Sequence, residues 1–177
     1  MIRLLARYIS FLLAGVTILH GGVVQHRYSF NGEGKTAIDS IGNLDGTIIG
    51  GATLKREGFV ELDGVNDWIE LPAGLVSRLK NLTIETWVSW QGPSTSQWQN
   101  ILLLGNGSSH LMYLTPNAQN KARFAMSNGG PERKAYGTVP IPFDGNIVTH
   151  MAATIDGETH TAYLHIDGIF KASVTQV

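Results

Sequence analysis

Three aromatic side chains in the sequence are candidates for stacking against a ligand. Trp98 stands in the polar stretch STSQWQN, where no strand pattern accounts for its burial. Trp68 and Tyr136 are further candidates, although Trp68 lies in an alternating stretch that also fits a place in the core. Flat rings beside polar groups suit sugars, whose apolar faces stack while their hydroxyls form hydrogen bonds. We therefore predict Trp98, Trp68 and Tyr136 as ligand-binding residues, with a structural role as the alternative for each.

A second candidate group carries side-chain oxygens in glycine-containing turns: Asp39, Asp63, Asn66 and Asp67. A hard cation such as Ca²⁺ is bound by several carboxylate and carbonyl oxygens, which turns of this kind supply. We predict these four residues as ligands of a structural calcium ion. The alternative is that the same side chains cap turns.

Other reaction chemistry finds little support in the residues. The sequence has no Cys, so disulfides, thiolate metal sites and a Cys nucleophile are excluded. Ser109 in GNGSSH lacks the Gly-x-Ser-x-Gly spacing of a nucleophile elbow, and we interpret this stretch as a polar hairpin loop. The net charge of −1 and the pI of about 6.6 argue against nucleic acid as a partner.

The elements that must position these residues are strands. At 177 residues, 43% hydrophobic and 15% charged, the chain is long and apolar enough for one domain with a core. In LTIETWVSW (82–90), alternate residues are apolar, which predicts a central strand with Trp90 and Trp87 on opposite faces. Further strands are expected at residues 24–30, 47–54, 59–63, 68–71, 100–104, 111–114, 122–126, 147–155, 161–166 and 169–174.

Turn signals separate these strands. Asp-Gly pairs occur at 45–46, 63–64, 144–145, 156–157 and 167–168, and such pairs favour tight turns between antiparallel strands. The helix-like stretch PAGLVSRLKN (72–81) predicts one short turn of helix. Short strands without crossover helices predict an all-β fold, an antiparallel two-sheet sandwich or jelly roll.

The first 22 residues have the pattern of a signal peptide. Arg3 and Arg7 precede the apolar stretch 8–19, which is short for a membrane span. We predict residues 1–22 as a signal peptide, with an uncleaved anchor as the alternative. The domain then covers residues 23–177 in a secreted or cell-envelope protein, with no membrane span in the mature chain.

Five blocks of sequence resemble, in order, the laminin G-like jelly-roll domains of bacterial exported proteins: HRYSFNG (26–32), DSIGNLDGTIIGGATL (39–54), VELDGVNDWIELPAG (60–74), LTIETWVSW (82–90) and HMAATIDGETHTAYLHIDG (150–168). These domains belong to the concanavalin A-like lectin and glucanase superfamily. The resemblance implies a concanavalin A-like jelly roll that binds carbohydrate or a cell-surface protein. In that family one or two further strands with an acidic motif close the sandwich, so we expect the chain to be incomplete at its C-terminus.

Catalysis is the alternative function that the resemblance raises. Glucanases of this superfamily resemble one another in a Glu-x-Asp-x-x-Glu strand, whose two Glu act as nucleophile and general acid about 5 Å apart. Glu61-Leu-Asp63 approaches this pattern but lacks the second Glu, and Glu85 stands alone on its strand. We expect a non-catalytic carbohydrate-binding or adhesion module, with a glycoside hydrolase and a spacer domain without a ligand as alternatives.

Overall fold

The structure, a computed structural model, describes residues 2–4, 9–13, 22–92, 98–106, 109–142 and 144–177. For 2–4, 9–13 and 106 only the backbone is described. The described residues form sixteen strands: β1 (Ile2–Leu4), β2 (Ile9–Leu13), β3 (Val23–Tyr28), β4 (Thr36–Ala37), β5 (Gly46–Ile49), β6 (Thr53–Lys55), β7 (Phe59–Leu62), β8 (Trp68–Glu70), β9 (Leu82–Trp90), β10 (Leu102–Asn106), β11 (His110–Thr115), β12 (Arg123–Asn128), β13 (Arg133–Tyr136), β14 (Thr149–Asp156), β15 (Thr161–Ile166) and β16 (Ile169–Thr175).

The strands form three sheets in which every pairing is antiparallel. A nine-stranded sheet runs in the order β16-β15-β14-β9-β1-β7-β6, with β2 paired to both β3 and β9. A four-stranded sheet has the order β10-β11-β12-β13, and a three-stranded sheet has the order β4-β5-β8. Apolar residues of all three sheets meet in one core, so the predicted all-β antiparallel sandwich is confirmed.

Strand β9 supplies the centre of this core. Ile84, Val88 and Trp90 lie on its buried face, and the Trp90 Nε1–H group donates to Gln99 Oε1 at 2.6 Å. Trp87 lies on the opposite face, with its ring centroid 4.6 Å from that of His150. A buried indole N–H requires an acceptor, which Gln99 provides. The predicted alternation of this strand is therefore confirmed.

Two sequence predictions about local structure are wrong. The stretch 47–54, predicted as one strand, forms β5 and β6, because Gly50 has a φ of 74° and turns the chain between them. The predicted helical turn at 72–81 forms turns instead, and both Gly74 (φ 87°) and Arg78 (φ 72°) have left-handed backbone that an α-helix excludes. By contrast, Asp167 and Gly168 form the expected tight turn between β15 and β16, with φ values of 51° and 74°.

The N-terminal residues pair within the nine-stranded sheet. Strand β1 lies between β7 and β9, and β2 lies between β3 and β9. Both strands fall inside the predicted signal peptide, much of which lies outside the described residues. The signal peptide therefore stays a prediction. Across the described part of the chain, no helix has the length and apolar character to span a membrane.

Candidate functional site

The register of the four-stranded sheet divides its side chains between the core and an outer face. Leu114, Phe124 and Ala135 are cross-strand neighbours and are buried in the core. Side chains alternate along a strand, so the residues one position away lie on the opposite face. Arg123 pairs directly with Tyr136 there, and Tyr113 belongs to the same outer face.

Arg123 is the centre of this outer face and is only 1% exposed. Its Nη1 group donates to the Tyr113 hydroxyl at 3.1 Å, and its Nη2 group donates to Gln119 Oε1 at 3.0 Å. Glu132 Oε2 lies 3.9 Å from Nη1, which places a negative charge beside the buried guanidinium. A buried charge is costly unless it is paired and hydrogen-bonded, and three other segments of the chain partner the two terminal nitrogens of Arg123. Among the described residues, its Nε group is buried without a hydrogen-bond partner.

The same guanidinium joins two of the predicted ligand-binding residues. Arg123 Cζ lies 5.1 Å from the centroid of the Trp98 ring and 4.7 Å from that of the Tyr136 ring. The Trp98 ring also meets the Tyr113 ring edge-on, at a centroid distance of 6.4 Å. Cation–π and edge-to-face contacts of this kind fix the orientation of aromatic rings. Trp98 is nevertheless 49% exposed, so it presents ring surface to solvent.

Glu132 and Tyr113 form a short hydrogen bond in which the Tyr113 hydroxyl donates to Glu132 Oε1. Burial, together with this bond to Glu132, raises the pKa of Tyr113 to about 12. Partial burial by itself raises the pKa of Glu132, but hydrogen bonds from Tyr113 and Lys134 and the charges of Lys134 and Arg123 hold that pKa below its usual range. The pair is therefore a neutral phenol donating to a carboxylate at neutral pH.

Trp98, Tyr113 and Glu132 border a cleft of about 500 Å³ on the outer face of the sheet, whereas Arg123 and Tyr136 do not line it. Its lining includes Trp98, Asn100, Leu103, Tyr113, Ser127 and Glu132. The cleft combines an exposed indole ring with carboxylate and hydroxyl groups. Because Lys134 Nζ lies 2.9 Å from Glu132 Oε2, and Arg123 is also close, the negative charge at the cleft is balanced.

Trp68 lines a different cavity. This second cavity has a volume of about 900 Å³ and includes the whole of β8 and most of β10 in its lining. Trp68 is 51% exposed there. The structure thus brings Trp98 and Tyr136 together around Arg123, whereas Trp68 is in the adjoining cavity.

Asp39 is buried and already fully engaged by the protein. Its Oδ2 accepts from His26 Nδ1 at 2.7 Å and from the Leu44 N–H group at 3.1 Å. Its Oδ1 accepts from the backbone N–H groups of Arg27, Ile41 and Gly42. Burial by itself raises the pKa of Asp39, but the hydrogen bonds outweigh burial and hold that pKa well below its usual range. Asp39 therefore organises the turn, which is the alternative to calcium binding.

The other three predicted calcium ligands lie in the loop between β7 and β8. Asp63 Oδ1 accepts from the backbone N–H groups of Val65 and Asn66 at 2.7 and 3.2 Å. Asp67 accepts from the Gly51 N–H group at 2.5 Å and from the Asp63 N–H group at 3.1 Å. Over the described ranges, no group of three or more His, Asp or Glu side chains is arranged to hold a metal ion. Calcium binding stays a prediction.

Sequence reasoning missed Arg123, Tyr113 and Glu132. A signal for Arg123 exists, because a charged residue opens the otherwise apolar stretch RFAM of β12. Its burial depends on partners distant in sequence, which the alternation of a single strand does not reveal. Asn106 pairs with His110, which agrees with the interpretation of GNGSSH as a hairpin loop, and residues 107 and 108 of that stretch lie outside the described residues.

Jelly-roll domains, which include lectin domains, are antiparallel double-sheet folds of this kind. The sequence model of the concanavalin A-like lectin/glucanases superfamily matches residues 63–177, and the chain belongs to this superfamily. The laminin G-like resemblance is thereby confirmed. A comparison with curated protein sequences gave no match.

A solved structure with a similar fold is domain 4 of AbnA, a GH43 extracellular arabinanase from Geobacillus stearothermophilus, in complex with arabinotriose. The two chains are 22% identical and superimpose with a TM-score of 0.64, covering 82% of this chain and 78% of the other. At this identity the likeness establishes a shared fold.

Proposed function

We propose that this domain is a non-catalytic carbohydrate-binding module, and that the cleft beside Trp98 holds the sugar. The observation that carries the proposal is the half-exposed Trp98 ring at the edge of a cleft lined by polar groups. A sugar ring stacked on the indole would have the Ser127 and Glu132 oxygens within the same cleft. The fold shared with a domain solved in complex with arabinotriose supports this class of ligand.

The charge balance of the cleft favours a neutral saccharide. Glu132 is ionised at neutral pH and has Lys134 and Arg123 beside it, so the cleft carries little net charge. A carboxylate held in this state accepts hydrogen bonds from sugar hydroxyls. It is poorly suited to donate a proton to a glycosidic oxygen, because a general acid requires a raised pKa. This state of Glu132 supports the proposal of binding without turnover.

The proposed ligand also agrees with an extracellular or cell-envelope location, where polysaccharides are found. This location rests on the predicted signal peptide at residues 1–22. N-terminal sequencing of the protein secreted by its host would test the location directly. A mature chain that begins near residue 23 supports export, and an intact N-terminus in the cytoplasm contradicts it.

The binding experiment is affinity electrophoresis in gels that contain arabinan, xylan or β-glucan, followed by calorimetry on the polymer that retards the protein. Trp98→Ala should weaken binding at least about tenfold, as expected for an aromatic residue at the centre of a binding site. Phe170→Ala is the matched control, because Phe170 is an equally exposed aromatic residue (55%) on β16, outside the cleft. Its affinity should equal that of the unmodified protein.

Two results would contradict the proposal. One is equal affinity of Trp98→Ala and Phe170→Ala for every polysaccharide that binds. The other is release of reducing sugar from a polymer by the purified protein, with loss of release in Glu132→Gln, which would make the domain a hydrolase.

A further inference from the structure

The second cavity adjoins the Trp98 cleft, and most of its lining residues are different. It lies along two edge strands, β8 of the three-stranded sheet and β10 of the four-stranded sheet. Its inner wall includes the buried apolar residues Phe30, Leu62 and Leu75. Its exposed lining includes Trp68 and Glu70, so a ring and hydrogen-bonding oxygens are again adjacent.

The two cavities meet at a shared border. Asn100 and Leu103 line both of them, and both residues are exposed. Each cavity also has one half-exposed indole ring, Trp98 in the smaller and Trp68 in the larger. A ligand that passes over Asn100 and Leu103 can therefore contact both rings in one bound state.

We propose that the two cavities form one elongated groove, which binds the interior of a linear polysaccharide with Trp98 and Trp68 as separate stacking surfaces. This inference rests on the proposed carbohydrate-binding function and adds its ligand class, a chain longer than a trisaccharide. Volumes of about 500 and 900 Å³ both lie within the range of small-molecule sites. Contacts in the second cavity are made by a chain already held in the first, so they raise the affinity as an intramolecular event does.

The test is calorimetry with oligosaccharides of increasing length. The probes are arabinotriose, longer arabinan fragments, and matching series from xylan and β-glucan. The unmodified protein should bind the long fragment of its preferred polymer about tenfold more tightly than the trisaccharide. Trp68→Ala should bind the trisaccharide unchanged and lose this gain with length, and Trp68→Phe should retain most of it. Trp98→Ala should weaken the binding of every length.

The outcomes separate the groove from the proposed function. If the trisaccharide and the long fragment bind equally, or if Trp68→Ala weakens both by the same factor, the groove is refuted and carbohydrate binding stands. The second cavity could instead accept an extended peptide along β8 and β10. In that case Trp68→Ala should have the same affinity as the unmodified protein for every saccharide, and this result refutes the groove. If the unmodified protein binds none of the three series, the proposed function fails and the groove fails with it.

Discussion

Replacing Asp39 by asparagine tests whether one buried carboxylate organises residues 39–45. Asp39 is 2% exposed, and its two oxygens accept five hydrogen bonds. Asparagine has nearly the same volume but places an NH₂ donor where one carboxylate oxygen stood. The substitution Asp39→Asn therefore changes charge and hydrogen bonding and leaves the packing of the site nearly intact.

The magnitude follows from the donors around the carboxylate. When the amide NH₂ takes the place of Oδ2, this NH₂ group faces the backbone N–H group of Leu44, so two donors meet and neither has an acceptor there. One buried donor without an acceptor costs about 1–3 kcal/mol. The remaining hydrogen bonds also lose the strength that the negative charge gave them, roughly 1 kcal/mol more. We expect the free energy of unfolding to fall by about 3 kcal/mol at neutral pH, which lowers the Tm by roughly 6–12 °C for a domain of this size.

The stability difference between the two proteins should change with pH in one direction. The folded pKa of Asp39 lies well below its usual range, so the ionised carboxylate stabilises the folded state fully above its unfolded pKa near 4. This contribution is lost as the pH falls below that value towards the folded pKa. The amide side chain of the variant does not titrate, so the stability gap between the two proteins should narrow between pH 7 and about pH 3.

Urea unfolding at pH 7, 5 and 3 measures this gap by tryptophan fluorescence. Asp156→Asn is the matched control, because Asp156 also accepts two backbone N–H groups, from Glu158 and Thr159, but on an exposed turn. Its effect should be much smaller. Equal losses in the two variants at pH 7, or a gap for Asp39→Asn that stays constant down to pH 3, would refute the reasoning.

Three further substitutions test other contacts. Arg123→Met should raise the pKa of Glu132 towards its usual value, because it removes a neighbouring positive charge, and an NMR titration of the Glu132 side chain measures the shift. Gln99→Leu should lower the free energy of unfolding by about 1–3 kcal/mol, since the buried Trp90 N–H group loses its hydrogen bond to Gln99; a loss below the error of urea unfolding would contradict this. Gly105→Ala should destabilise the β10–β11 hairpin, because Gly105 has a φ of 137° and an added Cβ would lie 2.2 Å from a backbone oxygen; an unchanged Tm would show that the hairpin adapts.

The alternation of apolar residues predicted most of the strands that border the core, but not β4 or β13, which are short. β9 and β15 have the predicted bounds, because each has one buried face and its neighbouring strands hold the register. The split of 47–54 was missed although Gly50 and Gly51 mark it in the sequence. The β-branched residues of this stretch favour a strand, and the prediction followed them. In the structure, the left-handed backbone of Gly50 turns the chain at that point.

The candidate site was less accessible to sequence reasoning. Trp98 was predicted because it stands in a polar stretch, and Tyr136 was predicted as a further candidate. The structure places both rings beside Arg123, and their role in ligand binding stays a prediction. Arg123, which holds both rings, was missed because a charged side chain is ordinarily expected at the surface. Its burial depends on Tyr113 and Glu132 from other strands and loops, and such long-range pairing is decided only by the folded sheet.

The predicted signal peptide and strands β1 and β2 occupy the same N-terminal residues, so they exclude each other in one molecule. Their apolar pattern is that of an export signal, yet the same pattern suits a strand in the interior of a sheet. In the structure, β1 pairs with Val88–Trp90 and β2 pairs with Ile84 and Glu85, so both lie along one edge of β9. Cleavage after the signal would remove both strands and leave that edge, together with the edges of β3 and β7, without backbone partners. Unpaired edges in the middle of a sheet are costly and recruit other strands, so we expect an exported form of this domain to take up a strand from another segment or another chain in this position.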